Sequence, residues 1–331
     1  MMIKSTNTIL LTIMTVLTAN LKAQNVPNPD FELKVGCPFT LHGVYYGYVT
    51  SWSSPTEGSS DYFNTCGFMP PIVTPYSGTG FVGSLAETSG NRDSKEYVMS
   101  MLSAPLVAGV TYTVSYYVAE AFFSNPGMGT FEDLPIAERG YLGLCFSTVA
   151  PTTANITEWP NDFGSIRDDF APTGRVYIPA DHPAYTSRNS WVPVTLQYTA
   201  TGGEQYMTVG QFREGISSAV WSAYFFYDGF SNLSVVQPAA TPAVTTGCPA
   251  NTYNLQSAVT STTPSGAELR FFNNSEHTGS QLTPAQVAAA APGTYYAFYY
   301  YTASATYSAA TAITVADGNC CPAGDVAPVI Q

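Results

Sequence analysis

The sequence has few charged residues, few histidines and no long apolar run. Charged side chains make up 10% of its 331 residues, and three residues are histidine. These three, His42, His182 and His277, lie far apart, no pair has zinc-ligand spacing, and no Gly-x-Ser-x-Gly motif occurs. The absences argue against a serine hydrolase or a zinc enzyme.

The N-terminal residues have the layout of a secretory signal peptide. Lys4 precedes an apolar run at 9–17, and small residues lead to a predicted cleavage after Ala23. The run is too short to span a bilayer comfortably, and no later stretch has the roughly 18 apolar residues that a membrane helix needs. We therefore predict a signal peptide at 1–23, a secreted or cell-surface protein, and no membrane span.

The charge balance is acidic. Lys+Arg number 11 against 23 Asp+Glu, a net charge of −12. Loss of Lys4 and Lys22 with the signal peptide makes the exported chain still more negative. Such a surface is a poor partner for polyanions, so we expect no nucleic-acid ligand.

Alternating residue types indicate β-strands. Apolar or aromatic residues occupy every second position in 111–118 and in 191–199, which is the pattern of half-buried strands. Gly202-Gly203 is a hairpin signal, and many short strands without a long helix predict a sandwich or jelly roll. Further strands are predicted at 80–85, 97–102, 141–147, 206–212 and 224–236, with long loops over most of 126–188.

A change in composition follows Val236 and suggests a second unit. Residues 237–245 have the character of a short stiff linker, and the following residues contain predicted strands at 269–272 and 295–301. The predicted fold class is all-β: a jelly-roll β-sandwich at 24–236, then a smaller immunoglobulin-like β-sandwich at 246–318. Cys321-Pro322 echoes Cys248-Pro249, so 319–331 is predicted to be a tail or the start of a further repeat.

The first unit resembles the galactose-binding-like jelly rolls of carbohydrate-binding modules, in the version attached to surface proteins of gliding Gram-negative bacteria. The resemblance is carried by the order and spacing of short pieces, and it implies a binding head and export through a type IX secretion route. The matching pieces include Asn28-Pro29-Asp30-Phe31-Glu32, Asp61-Tyr62-Phe63-Asn64-Thr65-Cys66, Glu96-Tyr97-Val98, Trp191-Val192-Pro193-Val194 and Tyr224-Phe225-Phe226-Tyr227-Asp228.

The second unit resembles the immunoglobulin-like repeats of large adhesins from the same bacteria. The matching pieces are Thr262-Thr263-Pro264-Ser265-Gly266, His277-Thr278-Gly279 and 293–299. Such repeats commonly have a cysteine where this chain has Thr306. The resemblance implies a spacer, and the departure leaves the partner of Cys248 open between Cys320 and Cys321.

Two of the remaining cysteines are predicted to pair. Cys37 and Cys66 are about thirty residues apart in a chain predicted to enter an oxidising compartment, where disulfides form. Cys145 lies in a predicted strand and is expected to be a buried free thiol, which behaves as a small apolar residue.

The jelly-roll resemblance also implies a structural calcium ion where the first strand meets the last. Its carboxylate ligands would be Glu32 and Asp228, because hard oxygen ligands suit calcium. The family often has a second Asp after the first, whereas this chain has Gly229. The alternative is that both are ordinary polar residues at strand ends.

For a glycan or surface-protein ligand, aromatic side chains in loops are the predicted contact residues. Trp159, Tyr185 and Trp221 each lie in or beside a predicted loop, whereas Trp52 and Trp191 are expected to belong to the core.

We expect a non-enzymatic adhesion or binding protein, with carbohydrate capture as the alternative. A glycoside hydrolase is a distant third, because the acid pairs Glu132-Asp133 and Asp168-Asp169 are adjacent in sequence rather than separated across a cleft.

Overall fold

The computed structural model describes residues 24–56, 58–70, 72–87, 95–125, 129–151, 174–213 and 222–318. Within these ranges the chain is almost entirely β-structure with one short α-helix, so the predicted all-β fold class is confirmed. No helix there is long and apolar enough to cross a membrane. The predicted signal peptide at 1–23 and tail at 319–331 lie outside the described residues.

The first unit is built from short strands and two 3-10 turns, Ile136–Glu138 and Pro183–Thr186. Its described strands are β1 (Trp52–Ser53), β2 (Asp61–Asn64), β3 (Gly80–Glu87), β4 (Tyr97–Met101), β5 (Thr111–Glu120), β6 (Phe123–Asn125), β7 (Gly129–Phe131), β8 (Leu142–Ser147), β9 (Arg175–Tyr177), β10 (Val192–Thr199), β11 (Tyr206–Gln211), β12 (Ala223–Asp228) and β13 (Ser234–Val235).

These strands form two sheets. One has the order β1-β4-β11-β8-β9, and the other has the order β10-β5-β12-β3-β2, with β13 also paired to β5. The chain crosses from one sheet to the other between β3, β4 and β5, and again between β10, β11 and β12. This crossing produces a sandwich in which sequence neighbours lie on opposite layers, as in a jelly roll.

The alternation predicted for 111–118 is confirmed and shows how the core forms. Strands β5 and β10 pair antiparallel, with Val114 opposite Leu196 and Tyr116 opposite Val194. All four of these side chains are buried, while the intervening positions of β10 are exposed. Burial of one face of each strand fixes the register, since a one-residue slip would expose the whole apolar set.

The second sheet also has an apolar outer face. In β12, Phe225 packs into the core between the sheets, whereas Tyr224 and Phe226 belong to a separate buried cluster with Phe63 and Phe81. Side chains of the segments before and after β2 and of β7 cover this cluster. The strand is therefore buried on both faces, and the outer cluster forms a second, smaller core.

The second unit is one five-stranded sheet with short helical segments. Its strands are β14 (Ala243–Thr245), β15 (Ala267–Phe272), β16 (Gly293–Tyr301), β17 (Thr306–Tyr307) and β18 (Thr311–Ala316), in the order β14-β18-β16-β15 with β17 beside β16. The helix α1 (Pro284–Ala288) and a 3-10 turn at Leu255–Ala258 contribute to its apolar cluster. Strand β14 lies within residues 237–245, the predicted linker, so these residues already contribute to the sheet of the second unit.

Candidate functional site

The predicted aromatic contact residues do not form a surface in the described part of the chain. Trp159 and Trp221 lie outside the described residues. Tyr185 is fully buried in the jelly-roll core, and its hydroxyl donates to Ile178 O at 3.2 Å and accepts from Gly140 N at 2.9 Å. Its prediction as a ligand platform is therefore wrong, because a ring without exposed area cannot stack on a ligand.

The two other tryptophans differ in exposure. Trp52 is buried as predicted, and its indole N–H donates to Asn28 O at 2.8 Å. Trp191 is half-buried: it packs edge-on against Phe81 with ring centroids 5.7 Å apart, and its N–H donates to Thr74 O at 2.8 Å. Part of its surface therefore remains open to solvent, contrary to a simple core role.

Glu32 and Asp228 reach the same loop, residues 76–80, although they lie 196 positions apart in the sequence. Glu32 accepts hydrogen bonds from Thr79 N at 2.6 Å and Gly80 N at 2.9 Å. Asp228 accepts from Ser77 N at 3.0 Å. The first and last parts of the jelly roll are thus joined through the amide groups of one loop.

Their surroundings affect the two carboxyl groups differently. Burial opposes ionisation of Glu32, but hydrogen bonds from Thr79 and Gly80 leave its pKa below the ordinary value. Burial raises the pKa of Asp228 to about 7, and the negative charge of Glu32 acts in the same direction. The site therefore brings together two acids whose charges oppose each other.

The carboxylate oxygens of Glu32 and Asp228 are of the ligand type that calcium prefers. Both carboxylates have lone pairs beyond those used by the amide groups. The described residues contain no group of three or more His, Cys, Asp or Glu side chains that could hold a metal. Main-chain oxygens and water would have to complete the six to eight ligands that calcium takes.

The cysteines follow the prediction where the structure describes them. Cys37 and Cys66 form a disulfide with Cα atoms 5.6 Å apart, and Cys145 is buried and free. Cys248 is also disulfide-bonded, while Cys320 and Cys321, its predicted partners, lie outside the described residues.

A cavity opens on the outer face of the second jelly-roll sheet, and we call it the acidic pocket. It has a volume of about 160 Å³. Aliphatic side chains complete its wall, and three ionisable side chains, His42, Asp61 and Glu96, face it. Its aromatic lining is Phe63, Phe123, Phe131, Tyr224 and Phe226.

Strand alternation places Asp61 on the side of β2 that faces this pocket. Asp61 and Phe63 are two positions apart in β2 and so share a face. Asp61 is 4% exposed, and it accepts from the Tyr224 hydroxyl at 2.6 Å and from the main-chain N–H of His42. His42 has a φ of 71°, a conformation that non-glycine residues seldom adopt and that occurs often at functional sites.

Glu96, just before β4, is held by three donors. Its Oε1 atom accepts from Ser59 N at 3.1 Å and Ser59 Oγ at 3.0 Å, and its Oε2 atom accepts from Leu85 N at 2.9 Å. Burial raises the pKa of Glu96. Burial also raises the pKa of Asp61 to about 7, assisted by the nearby charge of Glu96. Ionisation of either carboxyl group therefore opposes ionisation of the other.

No protein-family model and no curated protein matches this sequence. Among solved structures, the chain is similar to the K3 cleaved adhesin domain of Lys-gingipain from Porphyromonas gingivalis w83, with 15% identity, a TM-score of 0.30, and coverage of 64% of this chain and 98% of that one. It is also similar to the adhesin domain of Epf from Streptococcus pyogenes, with 10% identity, a TM-score of 0.22, and coverage of 78% and 92%. Likenesses at these scores carry no functional argument.

The acid pairs considered for glycoside hydrolysis lie elsewhere. Asp133 forms an ion pair with Arg188 at 2.8 Å, and its hydrogen bond with this guanidinium lowers its pKa. A glycosidase acid needs the opposite, a raised pKa. Asp168 and Asp169 lie outside the described residues.

Sequence reasoning missed the acidic pocket, although it used Asp61 and Glu96 as parts of the resemblance. One local signal was present: an aspartate begins a strand whose next two residues are aromatic, and aspartate is depleted in strands. Asp61 comes close to Glu96 and Tyr224 only in the folded protein, and its hydrogen bond with Tyr224 joins residues 163 positions apart. Spacing along the chain does not reveal such a pairing.

Proposed function

We propose that this chain is an exported, non-enzymatic adhesion or binding protein whose jelly-roll unit captures a partner through the acidic pocket. The observation that carries the proposal is the pocket itself. It is a concave site with mostly apolar and aromatic walls and a few converging polar groups, which is the usual composition of a ligand site. Its strained rim residue, His42, adds to this support.

Export is supported by the N-terminal signal-peptide pattern together with the cysteines. Cys37 is bonded to Cys66, and Cys248 is also disulfide-bonded. Disulfides persist mainly in oxidising compartments, outside the cytosol.

The proposal is tested by blocking the pocket. Beads coated with residues 24–331 are applied to arrays of glycans and extracellular proteins. The wild type is compared with Leu85→Trp, which places an indole ring in the pocket wall. Val149→Trp, at a position 70% exposed after β8 in the other sheet, is the matched control. We expect capture by the wild type and the control but not by Leu85→Trp. Equal capture by folded Leu85→Trp would overturn the proposal.

A second candidate function is carbohydrate capture, favoured by an aromatic cluster at the surface. Tyr76 is 45% exposed and stacks on Tyr117 with ring centroids 3.4 Å apart, and Trp191 lies 6.4 Å from Tyr76. Exposed aromatic rings can pack against the apolar faces of sugars. Glycan binding that is lost in Trp191→Ala and retained in Leu85→Trp would favour this function.

We also propose that calcium stabilises the jelly roll between Glu32 and Asp228. The support is that both carboxylates converge on loop 76–80 and that their charges oppose each other. A divalent cation between them would offset this repulsion.

A further inference from the structure

We propose that the acidic pocket binds a primary alkylammonium group, namely the end of a lysine side chain on a partner protein. This inference rests on the proposed binding function and names the chemical class of the ligand. It follows from the size of the pocket, the hydrogen-bonding capacity of the two acids that line it and the nature of its walls.

The size of the pocket limits the ligand to a group as large as one side chain. Its volume is about 160 Å³. An engineered protein cavity of about 150 Å³ holds a benzene molecule, whereas sites for drug-sized molecules are about 300–1,000 Å³. The pocket therefore accepts the end of one side chain but not a disaccharide.

Two acids that line the pocket offer hydrogen-bond acceptors. Asp61 and Glu96 already accept bonds from Tyr224, Ser59 and Leu85, and an ionised carboxylate has about four lone-pair positions and no donor. A ligand that donates hydrogen bonds can use the lone pairs that remain when these acids ionise. An ammonium group carries three donors and no acceptor, and it matches Asp61 and Glu96 in charge and in hydrogen bonding when they are ionised.

The walls favour a cation with an apolar stem. Five aromatic rings line the pocket, and aromatic faces attract an ammonium group within about 6 Å. The aliphatic wall residues, among them Leu41 and Leu85, suit a methylene chain. A neutral sugar hydroxyl gains no such charge interaction.

The rim indicates that the ammonium group belongs to a protein. The segment before β2 exposes a patch of aromatic side chains: Phe39 is 75%, Tyr45 52% and Tyr46 58% exposed. The ring of His42, which faces the pocket, lies 6.0 Å from that of Tyr46. Exposed apolar patches beside a pocket are typical of protein-binding surfaces, in which aromatic residues are enriched.

The experiment is an NMR titration of residues 24–331 with three capped amino acids. Nα-acetyl-lysine methylamide carries the ammonium group, its Nε-acetyl derivative lacks the charge, and the norleucine analogue keeps the stem alone. We expect saturable binding of the lysine compound and affinities lower by at least about tenfold for the other two, since both lack the charged donor. Equal binding of the norleucine analogue would refute an ammonium site.

Two variants test the assigned groups. Asp61→Asn removes one charge, and Phe123→Leu removes one half-buried ring without touching the acids, so one remains informative if the other fails to fold. Both should weaken lysine binding, whereas Glu276→Gln, an exposed acid of the second unit, should not. If no lysine compound binds while Leu85→Trp still abolishes capture on the arrays, the lysine inference fails and the proposed function stands. If Leu85→Trp leaves capture unchanged, the proposed function itself fails.

Discussion

The hydroxyl group of Tyr301, in the second unit, donates a hydrogen bond to Val236 O at 2.9 Å, at the end of the jelly roll. Tyr301 is fully buried, and with Tyr299 it belongs to the same apolar cluster as the jelly-roll core. Ala303, in the following turn, lies beside Gly109 of the jelly roll. The second unit is thus packed directly against the first, and the resemblance to a spacer repeat does not make it an independent module.

Tyr301→Ala is expected to uncouple the two units. Loss of the buried ring should destabilise the contact by about 3–5 kcal/mol, as for other large-to-small aromatic changes. Calorimetry should then show two separate melting transitions where the wild type shows one. Tyr301→Phe, which loses only the hydrogen bond, should cost about 0.5–1.5 kcal/mol. Thr294→Ala, an exposed change on the same strand, is the control. If Tyr301→Ala melts in the same way as this control, the coupling is contradicted.

The strands of the jelly roll could be predicted from sequence because their signal is local. In β5, Tyr112 and Val114 alternate with polar residues, and the structure buries this face as expected. Strand β12 shows where the local signal ends: a run of aromatic residues that is buried on both faces does not indicate which face meets which core. The acidic pocket lies on the outer face of β12, the face that carries Tyr224 and Phe226.

Tyr185 is a residue for which the local sequence indicated the wrong exposure. Its position beside a predicted loop suggested exposure, but a 3-10 turn directs the ring into the core, where the backbone satisfies its hydroxyl group. An aromatic residue in a loop of a β-protein is ambiguous in sequence, because loops contribute to cores as well as to surfaces.

The Cys37–Cys66 disulfide is expected to stabilise the segment that carries His42. The bond spans 29 positions, and the loop-entropy estimate gives roughly 3–4 kcal/mol for a closure of this size. A Cys37→Ser, Cys66→Ser double variant should therefore unfold at lower urea concentration than the wild type. Cys145→Ala, at a buried free thiol, is the control for the loss of sulfur. A double variant as stable as the wild type would show that the loop is held by other contacts.

Calcium removal tests the proposed ion at Glu32 and Asp228. We expect the melting temperature of the wild type to fall when a chelator replaces calcium, because the two carboxylates then lose the cation between them. Asp228→Asn should abolish this response, and Asp133→Asn, an acid paired with Arg188 elsewhere, should retain it. A melting curve that is the same in calcium and in chelator would indicate that the amide groups of loop 76–80 suffice to hold both acids.

Glu120 makes stability depend on pH in a predictable direction. It is fully buried at the end of β5, and its Oε1 atom accepts from Leu134 N at 3.0 Å. Burial raises its pKa to about 8 from an ordinary value of 4.5. Between these values the folded protein retains a proton that the unfolded chain has released, so the free energy of unfolding falls as pH rises.

Glu120→Gln removes this titration, and its neutral amide resembles the protonated acid. Relative to the wild type, the variant should gain stability between pH 5 and pH 8 by a few kcal/mol, because one pKa unit corresponds to about 1.4 kcal/mol. Urea unfolding of both proteins across this range gives the difference directly. Asp61 titrates in the same direction in both proteins, so its contribution cancels in the comparison. A difference that stays constant with pH would mean that Glu120 is already ionised in the folded protein.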